Sequence, residues 1–207
     1  ETGKNILQLY KQSQRRKGRP CSVCGVVKRH IMNQITREFG YGVLATGHNL
    51  DDEAAVLFSN TLSWSVEYLA RQFPVLEEEE GFARKVKPFC RFYERETAAY
   101  ALLRGIKYIE EECPFSDNST SLYYKRLLNQ LEDAQPGTKI RFFSNFVEAR
   151  KKGTIFQQVE GEKVELNSCP ICGQPTGSPE KCYYCRITLP NPVESAEEFP
   201  PDAMTFG

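Results

Sequence analysis

Val43-Leu44-Ala45-Thr46-Gly47-His48-Asn49-Leu50-Asp51-Asp52 is the stretch on which the fold turns. The apolar run 43–46 suits a short buried parallel strand. Asn49 with Asp51 and Asp52 then opens a helix predicted to run to about Leu62, its acidic residues in the first turn, where the helix dipole favours them. In doubly wound sheets, the end of a strand that leads into a helix is where ligands bind. Gly47 would let a ligand approach the backbone, and Asp51 and Asp52 could hold Mg²⁺ or a polarised water, or act as a base. The competing reading is simple capping of the helix by Asn and Asp, with His48 as packing.

Outward from this turn the pattern stays helical and strand-like by turns. Upstream, Val27, Ile31, Ile35 and Phe39 recur at fours and predict an amphipathic helix over residues 26–39, stopped by Gly40 and Gly42. Residues 1–20 read as a short helix and then a loop ending at Gly18 and Pro20. Downstream, residues 66–71 suggest a helix, 77–80 an acidic loop, 86–89 an extended segment, 94–105 a helix and 108–109 a short strand. Two further helices are predicted over 119–132 and 139–151. This alternation is α/β logic. From Gly153 the composition turns polar and cysteine-rich, so the reading divides the chain into an α/β portion (1–152), a cysteine-bearing ribbon (153–190) and a flexible Pro- and Glu-rich tail (191–207).

The 207 residues are 40% hydrophobic and 26% charged with zero net charge, which argues against a non-specific nucleic-acid binder. The distribution qualifies this: the first forty residues hold nine basic side chains against two acidic ones. Such a basic end is either a solvated surface or an RNA-facing footprint. No run approaches the ~18 apolar residues that would span a bilayer, and no signal peptide opens the chain. Eight cysteines without such signals point to metal or catalysis before disulfides, and to a cytoplasmic protein that does not engage membranes.

Cysteine spacing is the most informative feature. Cys169-Pro-Ile-Cys172 and Cys182-Tyr-Tyr-Cys185 are two CxxC knuckles nine residues apart, the spacing of a closed four-thiolate Zn²⁺ ribbon; two redox pairs are the competing idea. Cys21-Ser-Val-Cys24 is a third CxxC, expected just before a helix, where thiols are good ligands or nucleophiles. Cys113 is its candidate third partner and Cys90 the alternative, although Cys90 is assigned to the core. A redox pair, a second zinc site and a three-cysteine iron–sulfur site all remain open on spacing alone, since clusters are normally held by four cysteines. Lys28, one turn past Cys24, is placed to meet a phosphate or a developing oxyanion, or is simply a surface lysine.

Taken together, Cys21-Ser-Val-Cys24-Gly-Val-Val-Lys28-Arg29, Ala45-Thr46-Gly47-His48-Asn49-Leu50-Asp51-Asp52-Glu53-Ala54, Val86-Lys87-Pro88-Phe89, Leu103-Arg104-Gly105-Ile106 and Glu111-Glu112-Cys113-Pro114 resemble successive motifs of the tRNA 2-thiouridine synthetases, in the PP-loop ATP pyrophosphatase superfamily. The likeness is to the branch that thiolates the methylated uridine of the T-loop, with the wobble-uridine enzymes as near alternative. It runs from about Gly18 through the ribbon. It implies a partial Rossmann-like PP-loop ATPase domain with a C-terminal Cys₄ zinc ribbon. It also implies an ATP-dependent reaction, with Mg²⁺, in which a uridine C2 oxygen is adenylated and replaced by sulfur. By the resemblance, Cys21, Cys24 and Cys113 match the ligands of a 4Fe–4S cluster, and Cys169, Cys172, Cys182 and Cys185 those of zinc. Lys28 and Asp52 match a catalytic pair, and Lys28, Thr46, Gly47 and His48 match part of the ATP pocket. The partners implied are tRNA, a thiocarboxylated ubiquitin-like sulfur carrier and a second copy in a homodimer. One departure stands out: the Ser-Gly-Gly-x-Asp-Ser phosphate loop of the superfamily is absent. That leads to the expectation of an N-terminally truncated enzyme. The alternatives are a non-catalytic zinc- and RNA-binding protein that has lost the loop, and another ligase of the superfamily.

Overall fold

A computed structural model describes residues 3–13, 20–79, 81–116, 119–156 and 166–189. In chain order the elements are α1 (Ile6–Gln12), α2 (Pro20–Glu38), β1 (Val43–Ala45), α3 (Leu50–Leu62), α4 (Val66–Arg71), β2 (Val75–Leu76), β3 (Arg84–Val86), α5 (Glu94–Leu103), α6 (Thr120–Ala134), α7 (Thr138–Lys151), β4 (Asn167–Ser168), β5 (Pro175–Thr176) and α8 (Tyr183–Thr188). The basic run 15–17, Arg19 and the tail 191–207 lie outside the described residues.

Helix α3 organises the core. Its start is fixed locally by a reciprocal capping box: Asp52 N–H donates to Asn49 Oδ1 (3.0 Å), and Asn49 N–H donates to Asp52 Oδ2 (3.1 Å). Leu50 and Leu57 then pack with Leu69 of α4 and with Phe143 and Val147 of α7. Ala54 and Ala55, one turn further round, are small enough to admit Leu128 of α6. Each large side chain buried in this way contributes about 1.5–3 kcal/mol.

A buried polar network crosses the same interface. Lys139 pairs with Asp51 and donates from Nζ to Asn129 Oδ1 at 2.7 Å, while Glu132 accepts the backbone N–H groups of Gly137 (2.6 Å) and Lys139 (2.8 Å) and the hydroxyl of Tyr93 (3.0 Å). These bonds tie the starts of α3, α5 and α7 to α6, so buried charge is matched group by group.

The sheet has the order β1-β3-β2, with β1 parallel to β3 (Leu44 opposite Lys85) and β2 antiparallel (Leu76 opposite Lys85). The parallel pairing of β1 agrees with the sequence reading; its burial does not. β1 has one neighbour and one open edge, and Val43 is 50% exposed. The extended segment expected at 86–89 is shifted: the strand is β3, and residues 88–91 turn. No strand forms at 108–109, where Ile109 is 84% exposed with no neighbouring edge to pair with.

Helix α2 also departs from expectation. It begins at Pro20, whose fixed φ and missing N–H suit a first helical position, so Cys21 and Cys24 lie inside the helix and not before it. Its buried residues are Val23, His30, Asn33 and Thr36. Ile31, Ile35 and Phe39, the apolar stripe, are 42%, 43% and 68% exposed. The polar face is inside because His30 and Asn33 meet Gln174 and Tyr184, while α8 packs on α1 and α2 through Leu9, Val23 and Ile187.

Candidate metal centres

The four C-terminal cysteines converge. The Sγ atoms of Cys169, Cys172, Cys182 and Cys185 all lie within 4.8 Å of one another, with Cys172 and Cys182 3.6 Å apart. A tetrahedron of Zn–S bonds places its sulfurs about 3.8 Å apart, so the spacing fits one tetrahedral ion. The sulfurs are prepared for negative charge: Cys182 N–H points at Cys169 Sγ (3.3 Å) and Cys185 N–H at Cys182 Sγ (3.4 Å). Burial opposes ionisation of Cys169, but backbone N–H groups of Cys182, Cys172 and Ile171 outweigh it and bring the thiol down to about 6. Burial, then hydrogen bonding to Cys182 and Cys172, pushes Cys185 up instead. Cys169 is thus readied as a thiolate, and binding of a cation displaces the proton that burial holds on Cys185.

Cys21 and Cys113 are exposed and Cys24 is half-buried. Ninety-odd residues apart in sequence, Cys21 and the Cys113 loop meet: Cys21 Sγ lies 3.6 Å from the carbonyl oxygen of Phe115, two residues past Cys113. That loop is held by Ser116, whose N–H and Oγ donate to the Cys113 carbonyl at 2.9 and 2.7 Å. The CxxC lies in the opening turns of α2. Among the described residues only the C-terminal four cysteines converge as a possible metal group; Cys21 and the Cys113 loop are neighbours without that convergence. Cys90, by contrast, packs against the core around α3, and burial followed by the charge of Glu53 raises its thiol pKa.

The strand-end turn joins β1 to α3. Thr46 N–H donates to Val86 O (3.0 Å), and Thr46 Oγ1 meets His48 Nδ1 at 2.8 Å. A Cβ on Gly47 would meet open space, and His48 is exposed rather than packed. Asp51 is buried and committed to structure, paired with Lys139 and accepting Glu94 N–H (2.7 Å). Asp52 keeps a partly open carboxylate; one oxygen closes the capping box and the other meets Lys125 Nζ at 2.7 Å. Burial works against the charge on Lys125, but its bonds to Asp52 and Glu94 outweigh it and raise its pKa.

Lys28 is exposed on α2. The neighbouring Arg29 is close enough to β3 to act on Lys85, whose pKa is lowered first by burial and then by Lys87 and Arg29. Lys87 itself pairs with buried Glu53 at 2.8 Å. Arg29, β3 and Glu53 in the first turn of α3 therefore lie within electrostatic reach of one another. Lys125 and Lys85 are not singled out by the sequence reading, and Lys87 enters there only as part of the Val86–Phe89 motif, with no role assigned. Nothing in their spacing marks them; only the fold brings them to the turn.

No protein-family model matches the chain. It is 50% identical over 167 residues to "tRNA-5-methyluridine(54) 2-sulfurtransferase" of Thermus thermophilus, covering 81% of this chain and 50% of that one. It is 28% identical, also over 167 residues, to "Cytoplasmic tRNA 2-thiolation protein 1" of Caenorhabditis elegans, covering 81% of this chain and 43% of that one. Among solved structures it resembles the U34-tRNA thiolase NcsA from Methanococcus maripaludis with its 4Fe–4S cluster, at TM-score 0.63 and 28% identity over 84% of this chain and 54% of that one. The chain is a homologue of these tRNA 2-thiolation proteins and spans about half the length of the curated relatives it matches. No helix among the described residues is long and apolar enough to cross a membrane.

Proposed function

We propose that the chain is part of an ATP-dependent tRNA 2-sulfurtransferase. The observation that carries this reading is the meeting of Cys21 with the Cys113 loop in a chain 50% identical to a named sulfurtransferase. In the reaction, the C2 oxygen of a uridine attacks the α-phosphorus of ATP and pyrophosphate leaves. Sulfide then adds at C2, and the C–O bond breaks to release AMP and leave 2-thiouridine.

Cys21, Cys24 and Cys113 hold a 4Fe–4S cluster, which when bound supplies an iron with a position open to sulfide; the exposure of Cys21 and Cys113 leaves such a site accessible. Cys169, Cys172, Cys182 and Cys185 hold Zn²⁺ in a closed and therefore structural site. Thr46, Gly47 and His48 at the end of β1 bind the nucleotide, with no side chain over Gly47 to block its approach. Lys28 neutralises charge developing on the activated oxygen. Asp52, held by Lys125 and its own cap, polarises the attacking group or orders Mg²⁺. tRNA docks on the basic N-terminal side, and a thiocarboxylated ubiquitin-like carrier donates the sulfur. The division at Gly153, the homodimer and the cytoplasmic setting belong to the same reading.

The test is nucleoside analysis of tRNA incubated anaerobically with ATP, sulfide and the longest reading frame that contains this sequence. The reading expects 2-thiouridine with matching AMP, and a fall of about 10²-fold or more in Lys28→Ala. RNA binding indifferent to ATP, with no thiolated nucleoside, would replace it by the non-catalytic zinc- and RNA-binding reading.

A further inference from the structure

Each knuckle of the four-cysteine group contributes one residue that grips α2. From the first knuckle comes Gln174, whose backbone carbonyl accepts Cys169 N–H (2.9 Å). Its side-chain amide donates to the carbonyl of His30 (3.0 Å), lies 3.3 Å from His30 Nε2, and accepts Asn33 Nδ2 at 3.2 Å. From the second knuckle comes Tyr184, between Cys182 and Cys185, whose ring stacks on His30 with centroids 3.6 Å apart and planes at 10°. Three residues on, Ile187 of α8 packs on Val23, which is fully buried and stands between Cys21 and Cys24.

Three of the four buried side chains of α2, namely Val23, His30 and Asn33, therefore face β5, α8 or the turns beside them; the fourth, Thr36, bonds back to Asn33 O within the helix. The opposite face, Ile31, Ile35 and Phe39, is open. The first turn of a helix has unsatisfied N–H groups and frays unless something packs on it. Here that packing comes from Leu9 of α1 and from Ile187 of a ribbon whose two-residue strands leave little core besides its own sulfurs.

We propose that the four-cysteine group, closed by its metal, is a clamp that holds the first three turns of α2 and thereby fixes Cys21 and Cys24 against each other and against the Cys113 loop. His30, Gln174, Tyr184 and Ile187 are its positioning residues. The clamp rests on the proposed function only for what those thiols hold. The two knuckles present Gln174 and Tyr184 to His30 together, and only while one metal ion joins them. Loss of that ion therefore loosens a thiol set to which it is not bound.

Hydrogen exchange followed by mass spectrometry tests this in the 207-residue chain, with zinc measured in parallel. Tyr184→Ala leaves all four cysteines, so zinc is retained. The amides of residues 21–30 are expected to exchange about tenfold faster, as loss of a stacked pair implies. Tyr184→Phe restores wild-type exchange, because the ring and not the hydroxyl makes the contact. Cys182→Ser loses zinc and speeds the same amides at least as much, while α3 and α7 stay protected and report an intact core. After anaerobic reconstitution, iron escapes faster from Tyr184→Ala than from wild type. A wild type that takes up no iron but shows the exchange pattern keeps the clamp and removes the cluster reading. Unchanged exchange at 21–30 in both Tyr184→Ala and zinc-free Cys182→Ser overturns the clamp.

Discussion

Lys139 of α7 reaches Asp51 at the start of α3 with 2.5 Å between Nζ and Oδ1, and both side chains are at least 95% buried. The pair joins the helix that follows the strand-end turn to a helix almost ninety residues away. Asp51 therefore fixes the turn, and the neighbouring Asp52 is left as the carboxylate with a face toward solvent.

Removing one partner strands the other without a counter-ion. Lys139→Met is expected to cost about 3 kcal/mol in urea unfolding, the usual penalty for a buried carboxylate left unpaired. Adding Asp51→Asn to that variant should cost much less than the sum of the two single changes. A Lys139→Met loss under about 1 kcal/mol would show the pair to be energetically idle.

Glu132 predicts how the core responds to acid. Burial alone would raise its pKa, but the backbone N–H groups of Lys139 and Gly137, the Tyr93 hydroxyl and the Lys139 charge outweigh burial and hold it below the ordinary glutamate value. A carboxylate with a depressed folded pKa stabilises the protein above its unfolded pKa, and that contribution is lost as pH falls through the folded one. The gap in thermal midpoint between wild type and Glu132→Gln should be widest near neutrality and shrink below about pH 4.5. A gap independent of pH would contradict the network.

Gly81, at φ +80, touches the ribbon: a Cβ there would lie 2.3 Å from Pro175 Cγ. Its carbonyl also accepts Asn33 Nδ2 at 3.2 Å. Gly81→Ala should destabilise by about 1–3 kcal/mol, through left-handed strain and the clash together. The thermal midpoint should fall while zinc per chain stays unchanged; a neutral substitution would mean that the loop does not bear on Pro175.

Local signals in the sequence were readable and distant ones were not. The cap of α3 was legible because Asn49 and Asp52 are three residues apart and their bonds depend on nothing else. The ribbon was legible because two CxxC knuckles carry their geometry in their spacing. The buried face of α2 was misread because His30 and Asn33 are polar, and they become interior only through Gln174, more than 140 residues on. The start of α2 was placed late because a CxxC reads as a loop, although Pro20 begins a helix well. The apolar run 43–46 suited a buried strand, yet β1 is an open edge and the stripe of α2 is uncovered. Both are surfaces for which the described residues supply no partner. The contact between Cys21 and the Cys113 loop has no local signature: the sequence offers Cys113 as a candidate partner beside Cys90, and the cluster role comes only by resemblance.

The central claim is that Cys21, Cys24 and Cys113 form one site, separate from the four-cysteine ribbon. Iron, acid-labile sulfide and zinc per chain, measured after anaerobic purification and reconstitution of wild type and Cys113→Ala, test it most directly. The account predicts iron with matching sulfide in wild type, both lost in Cys113→Ala, and one zinc retained in each. Zinc at both cysteine sets, or iron that persists without Cys113, would contradict it.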